Sequence, residues 1–306
     1  MILSILQEVV FSLRKRCFVR WYHRSLKYKM IIASFFSLAF LGVMLSGYAV
    51  FVEPRWVTVA EYEIVATNLP GEFDGMRIAL IADIHHRYSR FLSCNLLNKV
   101  VHLTNEQSPD IILLGGDYVR EHSEYLADCF AKLSELEAPL GVYAVLGNHD
   151  YWNLPLMHET IRDAGIELLA NDAVWLEKGN KRILLTGVSD LWRDQPSLAG
   201  MRKELAESDF TVLLSHNPDF YDRMSQNDRE SIDLMLSGHT HGGQITLFGL
   251  YAPIKTAKAE FTTGCVNPDK GRTNIIISNG VGTGELPIRF FARPQIVFVT
   301  LRKSSL

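Results

Sequence analysis

Met76-Arg77-Ile78-Ala79-Leu80-Ile81-Ala82-Asp83-Ile84-His85 is a largely apolar run that stops at a carboxylate and an imidazole two residues apart. Short apolar runs of this kind are the mark of strands buried on both faces. The arrangement recurs along the chain. Ile111 to Gly115 leads into Gly116-Asp117, and Val142 to Leu146 leads into Gly147-Asn148-His149-Asp150. Thr211 to Ser215 leads into His216, and Leu234 to Ser237 leads into Gly238-His239-Thr240-His241. In sheets of such strands the ligand site lies beyond the carboxyl ends. One geometric rule therefore gathers five distant segments into one pocket.

The residues so gathered offer carboxylate, imidazole and amide oxygen with no cysteine, the mixture that first-row divalent cations prefer. Taken singly each has an ordinary role: an Asp after a strand often caps a helix, and Gly-Asn is a common turn. The series changes that weighting, because five of the ten histidines fall within it. His23, His86, His102, His122 and His158 have no comparable spacing and read as ordinary; for His86, beside His85, a surface role is favoured over one reaching the pocket.

The ordered blocks Asp83-Ile84-His85, Gly116-Asp117, Gly147-Asn148-His149-Asp150, His216 and Gly238-His239-Thr240-His241 resemble the calcineurin-like metallophosphoesterase superfamily. The resemblance runs from about Met76 to the C-terminus. It implies an α/β fold, a four-layer α/β/β/α sandwich with two central sheets. It also implies two divalent ions, manganese, iron or zinc. Asp83, His85, Asp117 and His241 would bind one, and Asp117, Asn148, His216 and His239 the other, with Asp117 as the bridge. Two dications about 3.5–4 Å apart activate a water for attack on phosphorus. By the same resemblance His149 is not a ligand but lies over the substrate, stabilising the transition state or protonating the leaving oxygen. Asp150 is expected to orient that imidazole, and Arg289 or Arg293 to clamp a substrate phosphate.

Departures narrow the branch. The protein phosphatases of the superfamily carry a second Asp after Gly-Asp-Tyr-Val, where this chain has Arg120. That argues against a phosphoprotein substrate. Glu53-Pro54, the turn at Asn68-Leu69-Pro70, Gly242-Gly243-Gln244 and Pro287-Ile288-Arg289 are similar to a membrane-anchored bacterial branch of phosphodiesterases.

Met30 to Val52 holds no charge and is long enough as a helix to cross a bilayer. It reads as a transmembrane helix, with a cleaved signal peptide as the competing reading. Seven basic residues and no acid lie between Arg14 and Lys29, whereas Glu53 follows the span. The positive-inside rule then puts residues 1–29 in the cytoplasm and the catalytic domain outside it, on the inner membrane. Residues 53–75 read as a lead-in, with a strand pair between Arg55 and Leu69, and residues 76–306 as the catalytic domain.

Seven basic residues and one Glu give the first 52 positions a net +6, so the rest of a chain at −3 carries −9. An acidic domain matches nucleic acid poorly. The four cysteines have no paired spacing: Cys17 falls on the cytoplasmic side, and Cys94, Cys129 and Cys265 read as buried free thiols, with one disulfide among them as the alternative. The expected activity is hydrolysis of a phosphodiester or pyrophosphate bond in an envelope or lipid-linked substrate. A UDP-2,3-diacylglucosamine pyrophosphatase is the specific alternative, and a non-catalytic metal-binding scaffold the alternative of another class. Helices are expected at Leu92–Glu106, Ser123–Glu137 and Leu156–Ala164, and further strands at Val174–Glu177, Arg182–Thr186, Asn274–Ser278 and Gln295–Leu301.

Overall fold

A computed structural model describes residues 2–86, 95–120, 123–249, 251–253 and 262–305 of the chain. The expected helix start at Leu92, Cys94 and His122 lie outside them. The described chain divides into two units, residues 1–48 and 49–306.

The first unit is one helix, α1 (Ile2–Gly47). It runs without a break through the basic segment and most of the expected span, with Phe35, Phe36, Leu38, Phe40 and Leu41 all exposed. Ser25–Arg55 is long and apolar enough to cross a membrane. The α-helical geometry ends at Gly47 and the chain continues as a π-helical turn over Tyr48–Val52 and a 3-10 turn over Glu53–Arg55, with Ala49 onward in the second unit.

The second unit begins with β1 (Thr58–Ala66), then β2 (Arg77–Ile81), α2 (Asn95–Glu106), β3 (Ile111–Leu114) and α3 (Leu126–Leu133). β4 (Val142–Ala144), α4 (Leu154–Asp163), β5 (Glu167–Leu168), β6 (Asp172–Lys178), β7 (Lys181–Gly187) and α5 (Arg202–Glu207) follow. The remainder is β8 (Thr211–Leu214), α6 (Phe220–Arg223), α7 (Gln226–Glu230), β9 (Leu234–Ser237), β10 (Gly264–Val266), β11 (Asn274–Ile277) and β12 (Gln295–Lys303). Two six-stranded sheets result, ordered β1-β12-β2-β3-β4-β5 and β10-β11-β9-β8-β7-β6. The strands β2, β3 and β4 run parallel in the first sheet, as do β7, β8, β9 and β11 in the second.

Strand periodicity assigns each apolar residue to a layer, because successive side chains point to opposite faces. In β2, Ile78 and Leu80 enter the core between the sheets while Ala79 and Ile81 meet the helical side. The second sheet repeats this: Leu234 and Leu236 face the inter-sheet core, and Met235 faces α5 and α6 with Leu205 and Phe220. Val100, Phe130 and Ile161 of α2, α3 and α4 cover the first sheet. The result is the expected four-layer α/β/β/α sandwich, with strands buried on both faces.

Three expectations need correction. The segment from Arg55 to Leu69 is not a strand pair but the single strand β1, parallel to β12 from Thr58 opposite Gln295 to Ala66 opposite Lys303. Nothing between Thr58 and Ala66 favours a turn. His86 is not on the surface: it is buried, with Nε2 2.7 Å from Asp128 Oδ2. Of the thiols, Cys129 is buried but Cys265 is exposed.

Candidate metal centre

The backbone turns sharply where the strands end. Asp83, His85, Asp117, His239 and His241 all take positive φ, between 42° and 69°. Non-glycine residues rarely adopt this region, at a cost of about 1–3 kcal/mol each, and such strain concentrates at functional sites. Here it breaks the strand direction within one residue and aims the side chains into a shared cleft.

Two glycines let the exits of β3 and β4 meet. A Cβ on Gly116 would overlap the backbone nitrogen of Gly147, and one on Gly147 would overlap the Asp117 carboxylate. Asp150 fastens the contact: its Oδ2 accepts the backbone N–H of Asp117 at 2.7 Å and of Gly147 at 2.8 Å, and its Oδ1 accepts that of Tyr118 at 2.9 Å. The expected bond from Asp150 to the His149 ring is absent among these contacts. Asp150 is instead a buried clasp between two loops, and burial, with Asp117 nearby, pushes its carboxyl up to about 8.

Two groups of buried donors face the cleft, Asp83 with His85 and His241, and Asp117 with His216 and His239. His85 Nε2 lies 3.2 Å from His241 Nε2, and His239 Nδ1 lies 3.1 Å from His216 Nε2. Donors held about 2.0–2.1 Å from one cation at tetrahedral or octahedral angles sit about 3.0–3.4 Å apart, so both pairs suit a shared ion. Asn148 Oδ1 stands 3.3 Å from His216 Nε2. Asp117 Oδ2 is 3.5 Å from His85 Nε2 and 3.4 Å from His216 Nε2, and so reaches both groups.

Supporting contacts fix the orientation. His216 Nδ1 lies 2.7 Å from the Gly115 carbonyl, which assigns the proton to that nitrogen and turns Nε2 toward the cleft. The Asp83 carboxylate accepts the His239 backbone N–H on both oxygens, at 2.9 and 3.0 Å. The His149 backbone N–H donates to Asp117 Oδ1 at 2.9 Å, and its ring meets that of His85 edge-on at 5.3 Å. His149 Nδ1 is buried with no hydrogen-bond partner.

The electrostatics are those of charges crowded out of water. Burial pushes the Asp83 carboxyl up to about 7, with Asp117 adding to the rise. Burial acts the same way on Asp117, but His216 and His85 overcome it and hold the carboxyl well below its usual range. Burial takes the His85 imidazole down to about 3. For His216 burial also acts downward, yet Asp117, Asp83 and Asp190 reverse it and carry the imidazole up to about 10.

A family model described as calcineurin-like phosphoesterase matches residues 76–243. The chain belongs to that family. This phosphoesterase is 31% identical over 267 residues to an uncharacterized metallophosphoesterase, YkuE, of Bacillus subtilis, over 85% of this chain and 90% of that one. It is 33% identical over 266 residues to phosphodiesterase YaeI of Escherichia coli, over 83% and 92%. It is 28% identical over 258 residues to a transmembrane protein with metallophosphoesterase domain of Danio rerio, over 80% and 57%. The phosphoesterase is accordingly a metal-dependent phosphoester hydrolase.

The expected phosphate clamps of the phosphoesterase lie elsewhere. Arg289 is wholly buried, and its guanidinium donates to the carbonyls of Gly282, His241, Ala292, Asn279 and Gly280. It knits loops together and has no face left for substrate; burial takes it down to about 10. Arg293 lies over the Trp56 ring, 3.8 Å from its centroid.

A different loop reaches the cleft. After β7, Asp190 is fully buried, and its Oδ1 accepts the backbone N–H groups of Trp192 and Arg193 at 2.9 and 3.0 Å. This turn sets the Trp192 ring edge-on against His239 at 4.3 Å. The exposed Arg193 donates from Nε to the Asn148 carbonyl at 3.2 Å. The sequence marks Asp190 to Gly200 as a loop that shapes the pocket but gives Trp192 and Arg193 no individual role.

Proposed function

We propose that this phosphoesterase hydrolyses a phosphodiester or pyrophosphate bond in an envelope or lipid-linked substrate while held at the inner membrane by its N-terminal helix. The observation that carries the catalytic reading is the Asp117 carboxylate between two groups of buried imidazoles. Asp83, His85, Asp117 and His241 would hold one divalent ion, and Asp117, Asn148, His216 and His239 the other. Manganese, iron and zinc all suit these donors. Bound there, the ions supply an activated water and draw charge from the phosphoryl oxygens.

The remaining roles belong to the chain itself. His149 is held against His85 through its backbone bond to Asp117, and its imidazole stabilises the transition state or protonates the leaving oxygen. Arg193, fixed at Nε, presents its terminal nitrogens to a substrate phosphate. Trp192 walls the cleft on the His239 side. The preference for a diester is supported by similarity to a relative named a phosphodiesterase, and the anchor by similarity to a transmembrane relative. An N-terminus in the cytoplasm and a catalytic domain outside it follow from the basic residues before the span.

The test is hydrolysis of bis-p-nitrophenyl phosphate and p-nitrophenyl phosphate by the full chain with Mn²⁺, Zn²⁺ or chelator. Metal-dependent cleavage that favours the diester supports the reading. Preference for the monoester would overturn the diesterase assignment, and a folded, metal-loaded protein inert to every phosphoester would favour the scaffold.

A further inference from the structure

Five large apolar side chains exposed on the second unit come from two segments that the backbone joins. Leu247, Phe248, Tyr251, Leu286 and Phe291 are each between 45% and 67% exposed. They form one surface. Leu247 donates its backbone N–H to the Tyr251 carbonyl at 2.8 Å, closing a tight turn, and the Phe248 ring lies 5.2 Å from that of Phe291. Thr246 and Phe290 join the two segments through the backbone at 2.9 Å, and Gln244 Nε2 donates to the Leu286 carbonyl at 2.8 Å. Contiguous apolar patches on a protein surface mark interaction sites.

Backbone strain points the same way. Phe248 and Phe291 have φ of 55° and 54°. Bulky residues are costly in that region, and here the strained conformation holds both rings out toward solvent.

The patch is also tied to the C-terminal end of the candidate span and to Trp56 just beyond it. Arg289 donates its backbone N–H to the Ala49 carbonyl at 3.0 Å, Ala292 donates to Glu53 Oε1 at 2.7 Å, and Arg293 covers Trp56. Phe51, Val52 and Trp56 are themselves exposed. Trp and Tyr beside Arg, with Phe and Leu inward, is the composition of a membrane interface.

We propose that this surface rests on the bilayer, with Leu247, Phe248 and Phe291 inserted among the outer acyl chains. It rests on the reading of Ser25–Arg55 as a span. The turn at Leu247 follows directly on His241-Gly242-Gly243-Gln244, so the His241 side of the cleft opens at the level of the lipid headgroups. A phosphoester carried by a lipid is then presented without leaving the membrane.

The test uses full-length protein carrying the photo-crosslinking residue p-benzoylphenylalanine in place of Phe248, Phe40 or Glu177. Each variant is reconstituted in nanodiscs of phosphatidylethanolamine with a minority of phosphatidylglycerol and irradiated. Mass spectrometry then scores lipid adducts. Phe40 lies within the candidate span, and Glu177 is an exposed residue of β6. The expected result is an adduct yield at position 248 close to that at position 40 and several-fold above that at position 177. A yield at 248 no higher than at 177, or crosslinking at 248 to a second copy of the chain, would overturn the proposal. Absence of adducts at position 40 would remove the span and the proposal with it. The readout needs no turnover, so it fails or succeeds separately from the phosphodiesterase reading.

Discussion

The Asp150 carboxylate accepts the backbone N–H of Asp117 at 2.7 Å, and through that bond the exit of β4 fixes the residue that joins the two donor groups. Replacing Asp150 by Asn turns one acceptor oxygen into a donor facing N–H groups. We expect Asp150→Asn to destabilise the fold by about 1–3 kcal/mol, the cost of a buried unsatisfied donor. Urea unfolding measures that loss. Bound metal should fall in the same variant, and unchanged metal content would show that the clasp does not position Asp117.

Asp117 and His149 should separate when each is replaced. Asp117→Asn is expected to lower the metal bound per chain, read by elemental analysis, and to abolish turnover. His149→Ala should retain its metal yet lose about 10²–10⁴ in kcat, the range of a general acid or base. Loss of metal in His149→Ala would make it a ligand instead.

The two arginines offer a sharper contrast. Arg193→Ala is expected to raise KM for a phosphodiester about tenfold, near 1.4 kcal/mol, with the melting temperature unchanged. Arg289→Met should leave several buried carbonyls without donors and cost at least about 3 kcal/mol of stability. A stable Arg289→Met enzyme with a raised KM would reverse the two roles.

Removing metal should also weaken the fold, because a ligand that binds only the native state stabilises it. For a domain of this size each kcal/mol lost shifts Tm by about 2–4 °C. Chelator-treated protein is expected to melt several degrees lower and to recover with Mn²⁺ or Zn²⁺. An identical melt in both states would mean that the buried imidazoles do not take up the ions.

The central strands were legible in the sequence because each is apolar on both faces and ends at a polar break, whereas their division into two sheets came from the family resemblance. Ile78 to Ile81 and Leu234 to Ser237 carry that pattern without ambiguity. The gathering of Asp83, Asp117, His216 and His241 followed from the strand-end rule. What escaped depends on which carbonyls converge in space. Arg289 reads as a phosphate clamp until five carbonyls are seen around it, and His86 reads as incidental until Asp128 of α3 is seen beside it. The loop from Asp190 to Gly200 was legible as one that shapes the pocket, but the contacts of Trp192 with His239 and of Arg193 with the Asn148 carbonyl depend on segments distant in sequence.

The left-handed backbone at Asp83, His85, Asp117, His239 and His241 bears on how this site tolerates change. Outside glycine, that conformation is adopted most readily by Asn, Asp and His, and Asp and His are also the residues that hold the ions. Local shape and chemistry thus select from the same short alphabet. Random variation at these positions meets two filters at once. Glycine passes the first and fails the second, while a β-branched residue fails the first before its chemistry is ever tried. A variant library built there should yield folded, inactive proteins mainly through glycine and asparagine, and the centre has few neighbouring sequences through which to drift.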